Sequence, residues 1–183
     1  MTKEMDKTTY TIATLGSHCS LQVLKGAKDE GFRTLLVCER QRLNLYKRFK
    51  FIDEILVVES FAEILDQTCQ QRLRESNSII IPHGTFIANL NIEKIERISP
   101  IFGNKWIFRW EADRGLKQRL MEESELSIPR SISSKDDIEN LCIVKLHGAA
   151  GGRGYFLAWD KKSFDEGVEK LIKNNAIEGE EEL

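Results

Sequence analysis

Four glycines within seven positions, Gly148, Gly151, Gly152 and Gly154, with Arg153 among them, form the stretch of this chain best suited to holding a ligand. Without a Cβ, a backbone can take positive φ and come close to a bound group. Amides presented along such a loop make concavities that hold anions. The spacing is not that of a P-loop, because no G-x-x-x-x-G-K-[ST] occurs. Nor is it the dinucleotide pattern G-x-G-x-x-G, whose last glycine should open a helix. Here Tyr155 and the residues after it are strand-like, so the unit reads as strand, loop, strand: a hairpin able to fold over phosphates. Lys145 lies in the strand before the loop, on the same face as Ile143. A lysine in an apolar strand either snorkels to water or pairs with an anion. Both readings stand on this stretch alone, and the loop's length and Arg153 favour phosphate.

Two further loops carry polar chemistry. Gly16-Ser17-His18-Cys19-Ser20 follows a β-rich run and precedes helical spacing. Ligands of open α/β sheets sit at the carboxyl ends of strands. Ser17 or Ser20 is expected to cap the helix, whose free amides favour an anion, and His18 would then face the crevice. A lone histidine in such a place is more often a turn residue. Pro82-His83-Gly84-Thr85, however, occupies the same kind of position after another apolar strand. Two strand-end loops with His beside Ser or Thr suggest one polar pocket. Tyr46-Lys-Arg-Phe-Lys50 could hold a phosphate but reads better as a solvated basic loop. Arg109 to Arg114 could be a binding strip or the start of an amphipathic helix. Trp106 and Trp110, four apart, read as packing.

The elements that must position these residues follow from apolar periodicity. Strands are expected at Tyr10–Leu15, Phe32–Cys38, Ile55–Val58 and Ser78–Ile81, with a helix through Leu21, Leu24 and Ala27 ending at Gly31 and another from Phe61 to Leu73. Continuous apolar strands alternating with helices indicate a parallel sheet covered on both faces. Residues 1–112 therefore read as a small doubly wound α/β domain. Residues 113–183 read as a second, α+β unit: a charged helix over Asp113–Leu126, strands at Leu141–Leu146 and Gly154–Trp159 around the glycine loop, and a helix over Ser163–Lys173.

Bulk properties narrow the function. The chain has 183 residues, 41% hydrophobic and 31% charged, with a formal net charge of −2. That balance suits a packed core and carries no bias toward nucleic acid or membrane. Four scattered cysteines form no C-x-x-C pair, and three histidines are too few for a histidine-built metal centre. Reduced thiols and a cytoplasmic location are the expectation, with no membrane partner.

Taken in order, Thr11–His18, Leu24–Lys28, Tyr46–Phe49, Ile81–Phe86, Phe102–Asn104, Arg109–Glu111, and Val144-Lys145 followed by Gly151–Phe156 resemble the archaeal formate-dependent 5-formaminoimidazole-4-carboxamide ribonucleotide synthetases. These are ATP-grasp ligases of purine biosynthesis, leading to IMP, and the likeness runs from about residue 10 to the end. It implies an N-terminal pre-ATP-grasp domain followed by the start of the ATP-grasp domain. It also implies a ligase forming a C–N bond by way of formyl phosphate, with ATP and Mg2+ as cofactors. Formate and the imidazole carboxamide ribonucleotide would be its small-molecule substrates. By motif, His18 and Thr85, with Ser17 and His83, would meet the imidazole nucleotide. Lys145 and the loop Gly148, Gly151, Gly152, Arg153, Gly154 and Tyr155 would cover the ATP phosphates. Family loops tend to read Pro-Gly-Ala-Arg-Gly-Gly-Arg-Gly, where this chain has His147 and Ala150, so one basic contact fewer is expected. Catalysis in such ligases is positioning and charge neutralisation, and no nucleophilic side chain is expected. The Mg2+ ligands and adenine-binding segment of the family fall beyond residue 183, so this chain is expected to be inactive alone. An ATP-grasp ligase for another substrate, or a non-catalytic nucleotide-binding remnant, are the competing readings. A homo-oligomer is left open.

Overall fold

The computed structural model describes residues 6–95, 98, 100–146 and 155–180. They divide into two compact units, Met1–Gln118 and Arg119–Leu183.

In the first unit, β1 (Thr11–Leu15), β2 (Arg33–Glu39), β3 (Glu54–Val58) and β4 (Ser78–Ile80) form a sheet in the order β3-β2-β1-β4. Every neighbouring pair is parallel. The sequence shows why: β2 is apolar at each of Leu35, Leu36, Val37 and Cys38, and all four are fully buried. Alternation then splits them between two faces. Ala13, Leu15, Leu35, Val37 and Ile80 enter the larger core. Leu36 and Cys38 enter a smaller one on the opposite side.

Helices α1 (Ser20–Asp29) and α2 (Leu43–Tyr46) cover the smaller face through Leu24 and Tyr46. Helices α3 (Gln67–Glu75), α4 (Gly84–Asn89), α5 (Ile92–Ile95) and α6 (Ile107–Ala112) serve the larger one through Cys69, Leu73, Phe86, Ile95 and Phe108. This is a doubly wound α/β arrangement. Each fully buried aliphatic side chain contributes about 1.5–3 kcal/mol relative to exposure. Helix α1 ends as the position of Gly31 foretold. Gly31 takes φ +87°, while Phe32 N bonds Ala27 O and Gly31 N bonds Lys28 O, closing a Schellman turn.

Three expectations need correction. The run Phe61–Leu73 is two elements: a 3-10 turn, Phe61–Leu65, then α3. Ser60 and Glu63 form a capping box that starts the turn, and Asp66 is extended and ends it. Neither Ser17 nor Ser20 caps α1. Cys19 stands at the N-cap with no side-chain bond, and Ser20 is the first helical residue. Trp106 is not packed: it is 62% exposed, with the Arg109 guanidinium 5.9 Å from its ring.

The second unit is built on an antiparallel pair, β5 (Cys142–Lys145) and β6 (Tyr155–Ala158), and on α8 (Lys161–Lys173). The boundary between units falls within α7 (Arg114–Glu123). Asp160 accepts from Ser163 N and, with Ser163 Oγ returning to the cap backbone, opens α8. One hairpin face, Cys142, Val144, Phe156 and Ala158, packs with Phe164 and Val168 of α8. The other face carries Ile143, Lys145, Tyr155 and Leu157, all exposed.

Candidate functional site

In the first unit the chain leaves β1 toward β2 on one side and reaches β4 on the other, so the sheet order reverses at β1. The carboxyl ends of β1 and β4 therefore border a crevice of the kind that holds ligands in open α/β sheets. Both polar loops stand there. Thr85 Oγ1 donates to Ser17 Oγ at 2.6 Å, and both residues are buried, each 8% exposed. That single bond joins segments 68 residues apart.

His83 builds the second loop. It is the N-cap of α4, and its Nδ1 accepts from Thr85 N at 3.4 Å. Its Nε2 lies 3.1 Å from Leu15 O, an acceptor, so the proton sits on Nε2 and Nδ1 is free to accept. The imidazole is thereby held neutral in one tautomer, bridging the ends of β1 and β4. Burial pushes its pKa below the usual value; the Leu15 carbonyl opposes this shift and the nearby His18 adds to it. The Phe86 ring meets the imidazole edge-on, with centroids 5.6 Å apart. His18, by contrast, is exposed beside this pair. The site thus presents a buried hydroxyl pair, an imidazole locked between the two turns and a second, exposed imidazole.

In the second unit Lys145 pairs directly with Tyr155, closing the hairpin at its loop end. Both side chains stand on the exposed face, open to solvent. Gly148, Gly151, Gly152, Arg153 and Gly154 lie outside the described residues. Gly167 of α8 matters to the hairpin: a Cβ there would stand 2.3 Å from two ring carbons of Phe156. Only glycine lets the strand pack this closely on the helix.

The basic cluster contains the residue that sequence reasoning missed. Lys47, Arg48 and Lys50 are exposed, as a solvated loop would have them, but Tyr46 is only 3% exposed. Its ring lies under Gly16. The signal was the Tyr46–Phe49 spacing, which puts two aromatics on one side of a turn; both join the core against β2.

The four cysteines are free thiols, and burial raises the pKa of Cys38 and Cys69. No helix among the described residues is long and apolar enough to cross a membrane.

Comparison with known proteins bears on this arrangement. A family model described as a protein of unknown function (DUF1246) matches residues 12–132. A 5-formaminoimidazole-4-carboxamide-1-(beta)-D-ribofuranosyl 5'-monophosphate synthetase of Cenarchaeum symbiosum is 56% identical over 174 residues, covering 94% of this chain and 51% of the relative. The chain thus spans about half the length of the curated relatives it matches. Among solved structures, the IMP biosynthesis protein PurP from Thermococcus kodakaraensis aligns with TM-score 0.60 and 28% identity, over 80% of this chain and 48% of that one. N5-carboxyaminoimidazole synthetase from Staphylococcus aureus, solved with ADP, aligns with TM-score 0.60 at 16% identity, over 91% and 45%. The fold is that of the opening half of ATP-grasp enzymes.

Proposed function

We propose that this chain, which belongs to the DUF1246 family, is the nucleotide-holding part of an ATP-dependent ligase. The reaction is formylation of the amine of 5-aminoimidazole-4-carboxamide ribonucleotide from free formate, on the way to IMP. The Ser17–Thr85 bond carries this reading, since it makes two strand-end turns into one binding surface. The identity to the Cenarchaeum synthetase over nearly the whole chain supports the choice of substrate.

His18 and the Ser17–Thr85 pair hold the imidazole nucleotide, with the exposed His18 imidazole reaching polar groups of the ligand. His83 keeps the Thr85 turn in place, both its nitrogens being engaged by the protein. Lys145 and Tyr155 stand at the mouth of the glycine loop, where the ammonium meets ATP phosphate oxygens as a mobile point charge. Transfer of the γ-phosphoryl group to formate gives formyl phosphate and ADP. Attack by the nucleotide amine then expels phosphate and leaves the formamide. The chain's residues bind and orient in both steps. The described residues gather no group of three or more His, Cys, Asp or Glu side chains that could hold a metal ion.

Calorimetric titration with 5-aminoimidazole-4-carboxamide ribonucleotide tests the reading. The 183-residue chain should bind it saturably, and His18→Ala should weaken binding about ten-fold, the scale of one or two polar contacts. Absence of heat and of protection at millimolar nucleotide, in a chain that melts cooperatively, would reject it.

A further inference from the structure

Beneath the Gly16–Ser17–His18 turn lies the Tyr46 ring at the end of α2. A Cβ added at Gly16 would meet Tyr46 Cε2 at 3.0 Å and the Val37 carbonyl oxygen at 3.3 Å. The turn's backbone therefore rests directly on the ring edge. The hydroxyl continues the contact: Tyr46 Oη lies 3.2 Å from Ser20 Oγ and 3.4 Å from the Ser17 carbonyl oxygen. Ser20 Oγ itself donates to that carbonyl at 2.7 Å. Arg42, just before α2, adds a longer bond from Nη1 to the Gly16 carbonyl oxygen at 3.4 Å.

A buried phenol hydroxyl costs free energy unless it is bonded. Phenylalanine would fill the same space without that cost, so the hydroxyl matters through what it holds. It holds the carbonyl of Ser17, whose own hydroxyl meets Thr85. The contacts form one chain, from Tyr46 through Ser20 and the Ser17 backbone to the Ser17–Thr85 pair.

We infer that Tyr46 is a positioning residue for the nucleotide site. Its ring and hydroxyl together set the backbone of the Gly16–Ser17–His18 turn, so that Ser17 Oγ meets Thr85 and His18 is left facing solvent. It touches no ligand; it acts through Ser17 and His18. The inference rests on the nucleotide reading of the crevice, and its test separates the two.

Tyr46→Phe removes the hydroxyl and keeps the ring, so the core stays filled. Amide hydrogen exchange is measured across the 183-residue chain for wild type and variant, and 5-aminoimidazole-4-carboxamide ribonucleotide is titrated into both. Exchange at Ser17, His18 and Thr85 should accelerate about five-fold or more, the scale of one hydrogen bond, while Leu35 to Val37 of β2 stay protected. The nucleotide Kd should rise about five-fold, and Tyr46→Phe combined with Ser20→Ala should weaken binding by less than the product of the two single effects. Unchanged exchange in the two turns overturns the inference whatever the chain binds. Altered exchange with unchanged Kd overturns it as well, as does strict additivity with Ser20→Ala. Failure of the wild type to bind the nucleotide rejects the ligand reading and with it the nucleotide-site role of Tyr46. In that event altered exchange still distinguishes the physical support of the turn from the failed ligand assignment. Tyr46→Leu, which removes the ring too, should loosen the same two turns more than Tyr46→Phe does, and equal exchange in the two variants would overturn the part given to the ring.

Discussion

Gly167→Ala sets two opposing effects against each other. In the middle of a helix, replacing glycine by alanine ordinarily stabilises by about 1 kcal/mol. Gly167 is the seventh of the thirteen residues of α8, so that gain is available in principle. Against it stands Phe156, whose Cδ2 and Cε2 would lie 2.3 Å from the new methyl and whose Cγ would lie at 3.0 Å. Carbon atoms in ordinary contact are about 3.5–4.0 Å apart, so the overlap exceeds roughly 1 Å at two atoms. The ring cannot step aside freely, because it packs with Phe164 at 5.7 Å between centroids and belongs to the small core of its unit. Overpacking of this kind costs about 1–3 kcal/mol, occasionally more. The clash should win, leaving the variant up to about 2 kcal/mol less stable after the helical gain is subtracted. Protection of the Val144 and Phe156 amides reports on this unit, and thermal unfolding reports on the whole chain. In a Phe156→Ala background the obstacle is gone, and the same substitution should then stabilise. If Gly167→Ala stabilises both backgrounds alike, the close packing of β6 on α8 is not as described and the reasoning fails.

The other predictions concern the site. Lys145→Ala should weaken ATP binding and spare the imidazole nucleotide, while His18→Ala should do the reverse; equal loss of both ligands in both variants would mean only that the units unfold. Thr85→Val leaves buried Ser17 Oγ without its 2.6 Å donor and should lower the unfolding free energy by about 1–2 kcal/mol. Thr85→Ser should retain most of it, and identical denaturation midpoints for the two would contradict the bond. Because His83 titrates below its usual value when folded, its neutral form favours the native state. That contribution is complete above about pH 6.5 and is lost as pH falls through the lowered folded value. Unfolding midpoints should therefore drop between pH 7 and pH 5, less steeply in His83→Gln; parallel pH profiles would show that His83 plays no part.

The sheet was legible because its strands are buried on two faces and so appear as unbroken apolar runs; β1 to β4 fall within one or two residues of expectation. The 3-10 turn at Phe61–Leu65 was read as helix because its apolar spacing continues into α3, and periodicity does not register the extended Asp66 between them. Helix capping at Ser17 and Ser20 was expected from residue type. Ser20 instead turns its hydroxyl back to the Ser17 carbonyl, and Ser17 spends its own on Thr85, 68 positions away. Such a bond leaves no local trace. What pointed to a shared pocket was the repetition of His beside a hydroxyl after two strands. Tyr46 was hidden for another reason: flanking basic residues set the character of the segment, while its one apolar side faces inward.

The hairpin's outward face constrains how Lys145 can be studied. Ile143, Tyr155 and Leu157 stand on it, 57%, 52% and 48% exposed, and Lys145 is the lone charge among the eight residues of the two strands. Such a charge discourages strand-to-strand association between molecules. Lys145→Ala therefore erases a gatekeeper along with the proposed phosphate contact, and the resulting protein should be more adhesive to itself as concentration rises. Lys145→Glu keeps the strand charged while repelling phosphate, so a comparison of the two at several dilutions separates loss of ATP from loss of solubility.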